Sequence, residues 1–187
     1  MKYFTFFIAT VILYACNAGN NTAPATDNTK KGTPPPIQYD KKMTTRYKAF
    51  DTTVEVLFID TKDSLNSIQQ KNYEGFIAKQ DLLTPGILDS IFAFYKRSYA
   101  DYKDGWTTDG QITDQELEKY LPKPTTAQNL KKFITPAVVY IKSARNCEEG
   151  SFTIEFDCTW DNEEGGLGVS IKNWKVKEVG TAEIAYL

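Results

Sequence analysis

The chain has 187 residues, 41% of them hydrophobic and 25% charged, and its 22 basic and 24 acidic side chains leave a net charge of −2. These fractions are typical of a folded chain with one domain and short extensions, and the charge argues against nucleic acid as a partner, because phosphates require a basic surface. The chain has no histidine, which excludes a Ser–His–Asp triad, a Cys–His pair and a His-ligated zinc site.

Residues 1–15 are predicted to form an export signal. Lys2 precedes an apolar stretch that ends at Ala15, and this stretch is shorter than the about 20 residues that a membrane-spanning helix needs. The sequence Leu13-Tyr14-Ala15-Cys16 follows directly and resembles the lipobox of bacterial lipoproteins. The resemblance implies that Cys16 is lipidated and becomes the mature N-terminus. An ordinary signal peptide that is cut nearby is the alternative.

Residues 16–36 are predicted to be a lipidated cysteine followed by a disordered tether. The segment is rich in Asn, Thr, Pro, Ala and Gly and offers almost nothing to bury. Residues 17–48 carry six basic and two acidic side chains, which would suit an anionic membrane surface or would only keep the tether soluble. No acidic run follows Cys16, so we expect a lipid-anchored protein of the cell envelope, at the outer membrane and facing the periplasm.

Residues 37–187 are predicted to form a single α+β domain. Residues 54–59 are rich in β-formers and indicate a buried strand. Apolar residues at helical spacing then predict one helix over 64–80 and another that begins at Thr84-Pro85 and ends near Tyr102. A capping box at Thr113-Asp114-Gln115-Glu116 predicts a short helix to Leu121, and a further short helix is expected over 126–133.

The last third of the chain is predicted to be a β-meander. A strand over 137–144 is followed by a turn at 148–150 and by a strand over 151–160. This second strand alternates in polarity, and its apolar face is Phe152, Ile154, Phe156, Cys158 and Trp160. A hairpin over Asn173-Trp174 completes the pattern. The fold class is therefore α+β, with an N-terminal strand, several helices and a C-terminal antiparallel meander.

Cys147 and Cys158 are not expected to form a disulfide. With a turn at 148–150, Cys158 pairs near residue 140, about 23 Å from Cys147. A disulfide requires the two Cα atoms to lie within about 7 Å of each other. Cys158 is therefore interpreted as a core residue.

Asp161, Glu163 and Glu164 form an acidic segment between glycines and the Trp160 strand. Three carboxylates in four residues could bind a basic partner, chelate Ca²⁺ or supply a catalytic carboxylate, and they could equally be a solvated loop. Residues 105–116 offer a second, weaker calcium pattern. Gly110 and Glu116 fit an EF-hand loop, whereas Gly105 and Thr107 stand at positions where acidic or amide ligands belong.

The segment from Phe156 to Gly180 resembles an uncharacterised family of bacterial α+β domains. The matching residues are Phe156, Cys158, Trp160-Asp161, Glu163-Glu164, Gly166-Leu167-Gly168-Val169, Val176 and Val179-Gly180. The family pattern has a histidine after the acidic residues, and this chain has Glu164 or Gly165 near that place. The resemblance covers residues 48–187 and brings no established activity. Some members look like partner-binding proteins of toxin–immunity systems, which implies binding rather than turnover.

The sequence therefore favours a lipid-anchored, non-catalytic binding domain, with an immunity-like role in partner binding. Its expected partners are the membrane, through the N-terminal lipid, and a protein with a basic surface that meets Asp161, Glu163 and Glu164. No cofactor, metal or nucleic acid is expected. The alternative is a carboxylate-dependent hydrolase or a calcium-binding protein that uses the same three residues.

We predict that Cys16→Ala abolishes lipid attachment. Wild-type protein should incorporate an alkyne fatty acid in growing cells and should fractionate with membranes, whereas the variant should do neither. Cys147→Ala is the matched control and should label like the wild type. Equal labelling of Cys16→Ala would show that the lipobox assignment is wrong.

Overall fold

The structure, a computed structural model, describes residues 39–61, 64–107, 112–143, 147–160 and 166–186. These residues contain a six-stranded sheet whose strands follow in chain order. The strands are β1 (Tyr39–Tyr47), β2 (Thr52–Ile59), β3 (Ile134–Ile141), β4 (Phe152–Cys158), β5 (Leu167–Lys172) and β6 (Lys175–Thr181). Neighbours pair antiparallel except β2 and β3, which run parallel. The long helix α1 (Ser67–Thr107) lies between these two strands in the chain.

Three one-turn helices complete the described part of the chain. They are α2 (Asp114–Leu117), α3 (Ala127–Leu130) and α4 (Glu183–Tyr186), and 3-10 turns cover Lys48–Phe50 and Lys131–Phe133. The predicted Thr113–Glu116 capping box is present at α2. Thr126 caps α3, which lies within the range 126–133 expected for a short helix. None of the described helices is both long enough and apolar enough to cross a bilayer.

The predicted α+β class and C-terminal meander are confirmed. Strands β3 to β6 pair in sequence, all antiparallel. The apolar face of β4 is buried as its alternation predicts, since Phe156 and Ile154 are fully buried and Trp160 is only 1% exposed. The Trp160 ring packs against Tyr95 of α1 in a tilted arrangement, with ring centroids 4.4 Å apart. The main core therefore lies between α1 and this face of the sheet.

The sequence analysis predicted one N-terminal strand, and the structure has two. Residues 39–47 form β1, which pairs along most of its length with β2. The basic side chains Lys42 and Arg46 disguise the strand, because they face away from the main core and pair with Glu55 and Asp51. Lysine and arginine on an edge strand also hinder pairing with another chain.

The prediction of two helices separated at Thr84-Pro85 is wrong, because α1 continues through Pro85. Proline removes one main-chain donor and usually breaks or kinks a helix. Here Thr84 is buried and its Oγ1 donates to Gln80 O at 2.6 Å. Ile87 and Leu88 continue the buried stripe of the preceding turns. Burial of that continuous stripe outweighs the local preference for a helix start at proline.

Three amide side chains on α1 are buried against the sheet. Gln69, Asn72 and Gln80 are each at most 1% exposed. Gln69 Nε2 donates to Ile59 O at 2.9 Å, and Gln80 Oε1 accepts from Lys48 N at 2.6 Å. Each amide forms hydrogen bonds with main-chain groups at or next to a strand end. These residues therefore fix the position of the helix on the sheet.

The loop between β3 and β4 is held by Asn72. The Asn72 amide donates to Ser151 O at 2.9 Å and to Glu148 O at 3.1 Å, and it accepts from Gly150 N at 2.7 Å. Gly150 has φ +80°, a conformation that favours glycine. One side chain on the helix therefore sets where β4 begins.

The predicted register of the β3–β4 hairpin is wrong, although its consequence for the cysteines is confirmed. Cys158 pairs with Ile134 instead of a residue near 140. The connection between the strands is longer than a three-residue turn, because β3 ends at Ile141 and β4 begins at Phe152. Cys147 and Cys158 are both thiols, and Cys158 packs against the main core.

The hairpin between β5 and β6 turns over Asn173-Trp174, as predicted. Asn173 has φ 52° and Trp174 φ 59°, which is the geometry of a type I′ turn and costs a non-glycine residue about 1 kcal/mol or more. A Cβ on Gly75 or Gly150 would collide with the Trp174 residue, so the ring lies between two glycines. The Nζ of Lys79 lies 4.4 Å from the ring centroid. These contacts offset the cost of the turn.

The short helix α4 covers part of the opposite face of the sheet. A Cβ on Gly168 would lie 2.8 Å from Ala185 N, and a Cβ on Gly180 would collide with Ile184. Thr153 Oγ1 donates to Ala185 O at 2.8 Å. Leu57, Ile59 and Tyr140 form a second, smaller core with Ala185 on this face.

We predict that Asn72→Ala lowers the free energy of unfolding by about 2–4 kcal/mol. The variant leaves the buried Gly150 N without an acceptor, which costs about 1–3 kcal/mol. It also removes one hydrogen bond to Glu148 O and one to Ser151 O, each of which keeps another donor; each lost bond costs about 0.5–1.5 kcal/mol. Urea denaturation measures the change. Gln70→Ala, on the exposed side of the same helix, should stay within about 0.5 kcal/mol of the wild type. Equal stability of both variants would contradict the role given to Asn72.

Candidate functional site

Four residues that the sequence analysis singled out lie outside the described part of the chain. These are the lipidation residue Cys16 and the acidic residues Asp161, Glu163 and Glu164. The second calcium pattern is only partly described: Gly105 and Thr107 lie in the last turn of α1, and the Glu116 carboxylate accepts from Thr113 N at 3.1 Å. Within the described ranges, no three Cys, Asp or Glu side chains converge on a point that could hold a metal ion.

The described residues form a surface cleft of about 700 Å³ at one end of the sheet. Strands β3 and β5 end there, and β4 and β6 begin there, because neighbouring strands of this meander are antiparallel. The meander therefore brings together Lys142, Lys172 and Lys177, which are well separated in sequence. We call this feature the lysine cleft.

The walls of the lysine cleft combine charge with apolar surface. Glu148 and Glu178 line it together with the three lysines, which leaves a local net charge of +1. Ile171 and Ile184 contribute apolar walls. A cleft of several hundred Å³ with apolar walls and a few polar groups has the size and composition of a small-ligand site.

The three lysines differ in their contacts. Lys172 Nζ lies 3.5 Å from Glu148 Oε2, a solvent-exposed ion pair. Lys142 Nζ donates to the main-chain oxygen of Tyr186 at 3.4 Å. Within the described part of the chain, neither Lys142 nor Lys177 has a carboxylate within 4 Å. Burial lowers the pKa of Lys142, and the negative charge of Asp60 only partly opposes this effect.

Cys147 lines the lysine cleft but is not an activated nucleophile. Its Sγ donates to Ser151 O at 2.9 Å and lies 3.3 Å from the Asn72 amide nitrogen. Burial raises the pKa of the thiol, which keeps it protonated near neutral pH. Thiolate, the reactive form, is therefore scarce.

A hydroxyl–carboxylate cluster lies beside the lysine cleft. Glu155 Oε2 accepts hydrogen bonds from Tyr140 Oη at 2.6 Å and from Tyr186 Oη at 3.1 Å. Burial, reinforced by the Glu155 carboxylate, raises the pKa of Tyr140 far above its usual range, so the phenol remains a donor. The cluster fastens α4 to β3 and β4, and with it the Ile184 wall of the cleft.

Sequence reasoning did not identify the lysine cleft. Its basic residues stand next to predicted strand ends, and the meander order alone places those ends together. That signal was present in the sequence, but the last third of the chain has a negative net charge, and the acidic residues were therefore predicted as the site. The buried amides were also missed, because only apolar residues were used to define the inner face of the helix.

Residues 32–187 match the family model described as "Domain of unknown function (DUF6985)". The chain belongs to this family. The match takes in every residue that the structure describes, so the sheet, α1 and the lysine cleft all lie in the family domain. No curated protein and no solved structure matches the chain.

Membership of the DUF6985 family agrees with the expected uncharacterised domain and carries no activity to this chain. The function must therefore be argued from the residues themselves.

We predict that Cys147 reacts slowly with iodoacetamide at pH 7.5. Its raised pKa and its hydrogen bond to Ser151 should make alkylation at least about tenfold slower than in the urea-unfolded chain. Mass spectrometry of the Cys147 peptide measures the rate separately from that of Cys158. A rate equal to or above that of the unfolded chain would show an activated thiolate and would reopen the case for catalysis.

Proposed function

We propose that the protein is a lipid-anchored binding protein of the cell envelope, whose DUF6985 domain holds a partner in the lysine cleft without chemical turnover. The lipid anchor is Cys16, and the proposed location is the outer membrane, facing the periplasm. The export signal and the lipobox-like sequence before Cys16 support this part.

The single observation that carries the binding role is the composition of the lysine cleft. It places Lys142 and Lys177 in a concave site, without a carboxylate within 4 Å of either in the described part of the chain. Ammonium groups arranged in this way favour an anionic partner. The thiol beside them is protonated and engaged with Ser151, so it offers a contact rather than a nucleophile.

The acidic segment provides a second surface for the same role. Asp161, Glu163 and Glu164 follow β4 in the chain and would attract a basic partner, as the sequence analysis proposed. Partner binding of the toxin–immunity kind uses charged surfaces of this sort to gain association rate and specificity. The two surfaces require partners of opposite charge, which makes them separable by experiment.

We predict that partner capture depends on the lysine cleft. Full-length tagged protein, extracted from native envelopes in mild detergent, should retain a specific partner. The double variant Lys142→Met and Lys177→Met should lose at least about tenfold of it, because two favourable charges are removed from a concave site. Quantitative mass spectrometry of the captured material measures the loss.

Two control variants make the result interpretable. Lys132→Met removes an exposed lysine at the opposite end of β3 and should capture like the wild type. Replacing Asp161, Glu163 and Glu164 by Asn or Gln removes the acidic segment. Loss of capture only in this triple variant would move the proposed site to that segment. A melting temperature that rises with Ca²⁺, and stops rising in the triple variant, would favour the calcium alternative instead.

A further inference from the structure

We propose that the lysine cleft binds a phosphate group, held by Lys142 together with Lys177 and Lys172, which also line the cleft. This inference rests on the proposed function in one respect, namely that the cleft is a binding surface. It goes further by naming the chemistry of the ligand.

The first argument is the environment of Lys142. The side chain is half-buried, and its only hydrogen bond among the described residues is a 3.4 Å contact to a main-chain carbonyl. An ammonium that loses water without gaining a carboxylate is destabilised, as its lowered pKa shows. A bound anion would supply the missing counter-charge.

The second argument is the number and kind of donors. The cleft carries three ammonium groups and the hydroxyl of Ser170. The Oγ atom of Ser151, which also lines the cleft, is buried and has no hydrogen-bond partner among the described residues. Lysine is a point charge with three donors and binds phosphate well, whereas carboxylate recognition is usually performed by arginine in a planar, two-bond geometry. A tetrahedral group with three or four acceptor oxygens fits this set of donors better than a carboxylate does.

The two glutamates of the cleft oppose the binding of an anion to different extents. Glu148 is already neutralised by Lys172, at 3.5 Å. Glu178 is exposed and has no cation within 4 Å in the described part of the chain. It should therefore weaken the binding of a phosphate dianion, which provides a second, opposite test of the site.

Two sources of the phosphate are consistent with the cleft: a soluble phosphate ester or the headgroup of an anionic lipid. The apolar walls Ile171 and Ile184 would suit a ligand with a non-polar part. The chain also enters β1 at Tyr39, which pairs with Ile59 at the same end of the sheet as the cleft.

The experiment measures ³¹P line broadening on addition of the full-length, detergent-extracted protein. The first probe is inorganic phosphate, and the second is dihexanoylphosphatidic acid below its micelle concentration. Ionic strength is held constant with chloride, so that general screening does not change. We expect saturable broadening with the wild type and about tenfold or weaker affinity with Lys142→Met, since a charge-assisted hydrogen bond is worth about that factor.

Two variants distinguish the cleft from general attraction to lysine. Glu178→Gln should tighten phosphate binding about twofold, as expected for removal of one exposed repulsive charge. Lys132→Met should bind like the wild type. Broadening that is equal in wild type and Lys142→Met, or that is absent in the wild type for both probes, would overturn the proposal. Circular dichroism of each variant confirms that the fold is retained.

The two probes identify the source of the phosphate. Affinity for the lipid at least about tenfold above that for inorganic phosphate would assign a lipid headgroup, because burial of apolar surface would add to the anion contact. Equal affinities would assign a soluble phosphate ester. If partner capture depends on Lys142 while neither probe binds, the phosphate assignment is wrong and the proposed binding role remains. If phosphate binds and no partner is captured, the phosphate assignment stands and the proposed capture of a partner is wrong.

Discussion

The side-chain amide of Asn72 is the contact on which the arrangement of this domain depends. It joins the first turns of α1 to the turn that precedes β4, through three hydrogen bonds of 2.7–3.1 Å. Because that turn fixes where β4 begins, Asn72 also fixes the register of β4 against β3 and β5. Trp174 inserts beside the same turn, between Gly75 and Gly150, so the last hairpin is held to the helix at the same place.

The sequence predicts those features that depend on interactions between residues close together in the chain. The capping box at Thr113, the alternation of β4 and the hairpin over Asn173-Trp174 are local, and each is present in the structure. The helix break expected at Pro85 also follows from a local rule, but the structure has no break there, because α1 continues through Pro85. Burial of a stripe that runs from Phe76 to Ile91 acts over four turns of helix and outweighs one missing main-chain donor.

The lysine cleft is formed by residues that are far apart in the chain, so local sequence patterns do not predict it. Lys142 and Lys172 come together only because β3 and β5, which flank β4, both end at the point where β4 begins. A wrong register for the β3–β4 connection, such as the pairing of Cys158 near residue 140, conceals this placement. The meander order contained enough information to bring the strand ends together, whereas the half-burial of Lys142 depends on how α4 docks and has no local signal.

The residues of the Phe156–Gly180 pattern that the sequence analysis singled out have packing roles wherever the structure describes them. Phe156 and Trp160 fill the main core, and Gly168 and Gly180 admit the backbone and side chains of α4 at distances that no other residue would allow. A pattern composed of such residues specifies how the sheet is covered, and it does not specify a ligand. Among the described residues, the specificity of this protein should therefore be sought in side chains outside the pattern. Lys142 and Lys177 are two such residues, because both line the lysine cleft and neither has a carboxylate within 4 Å in the described part of the chain.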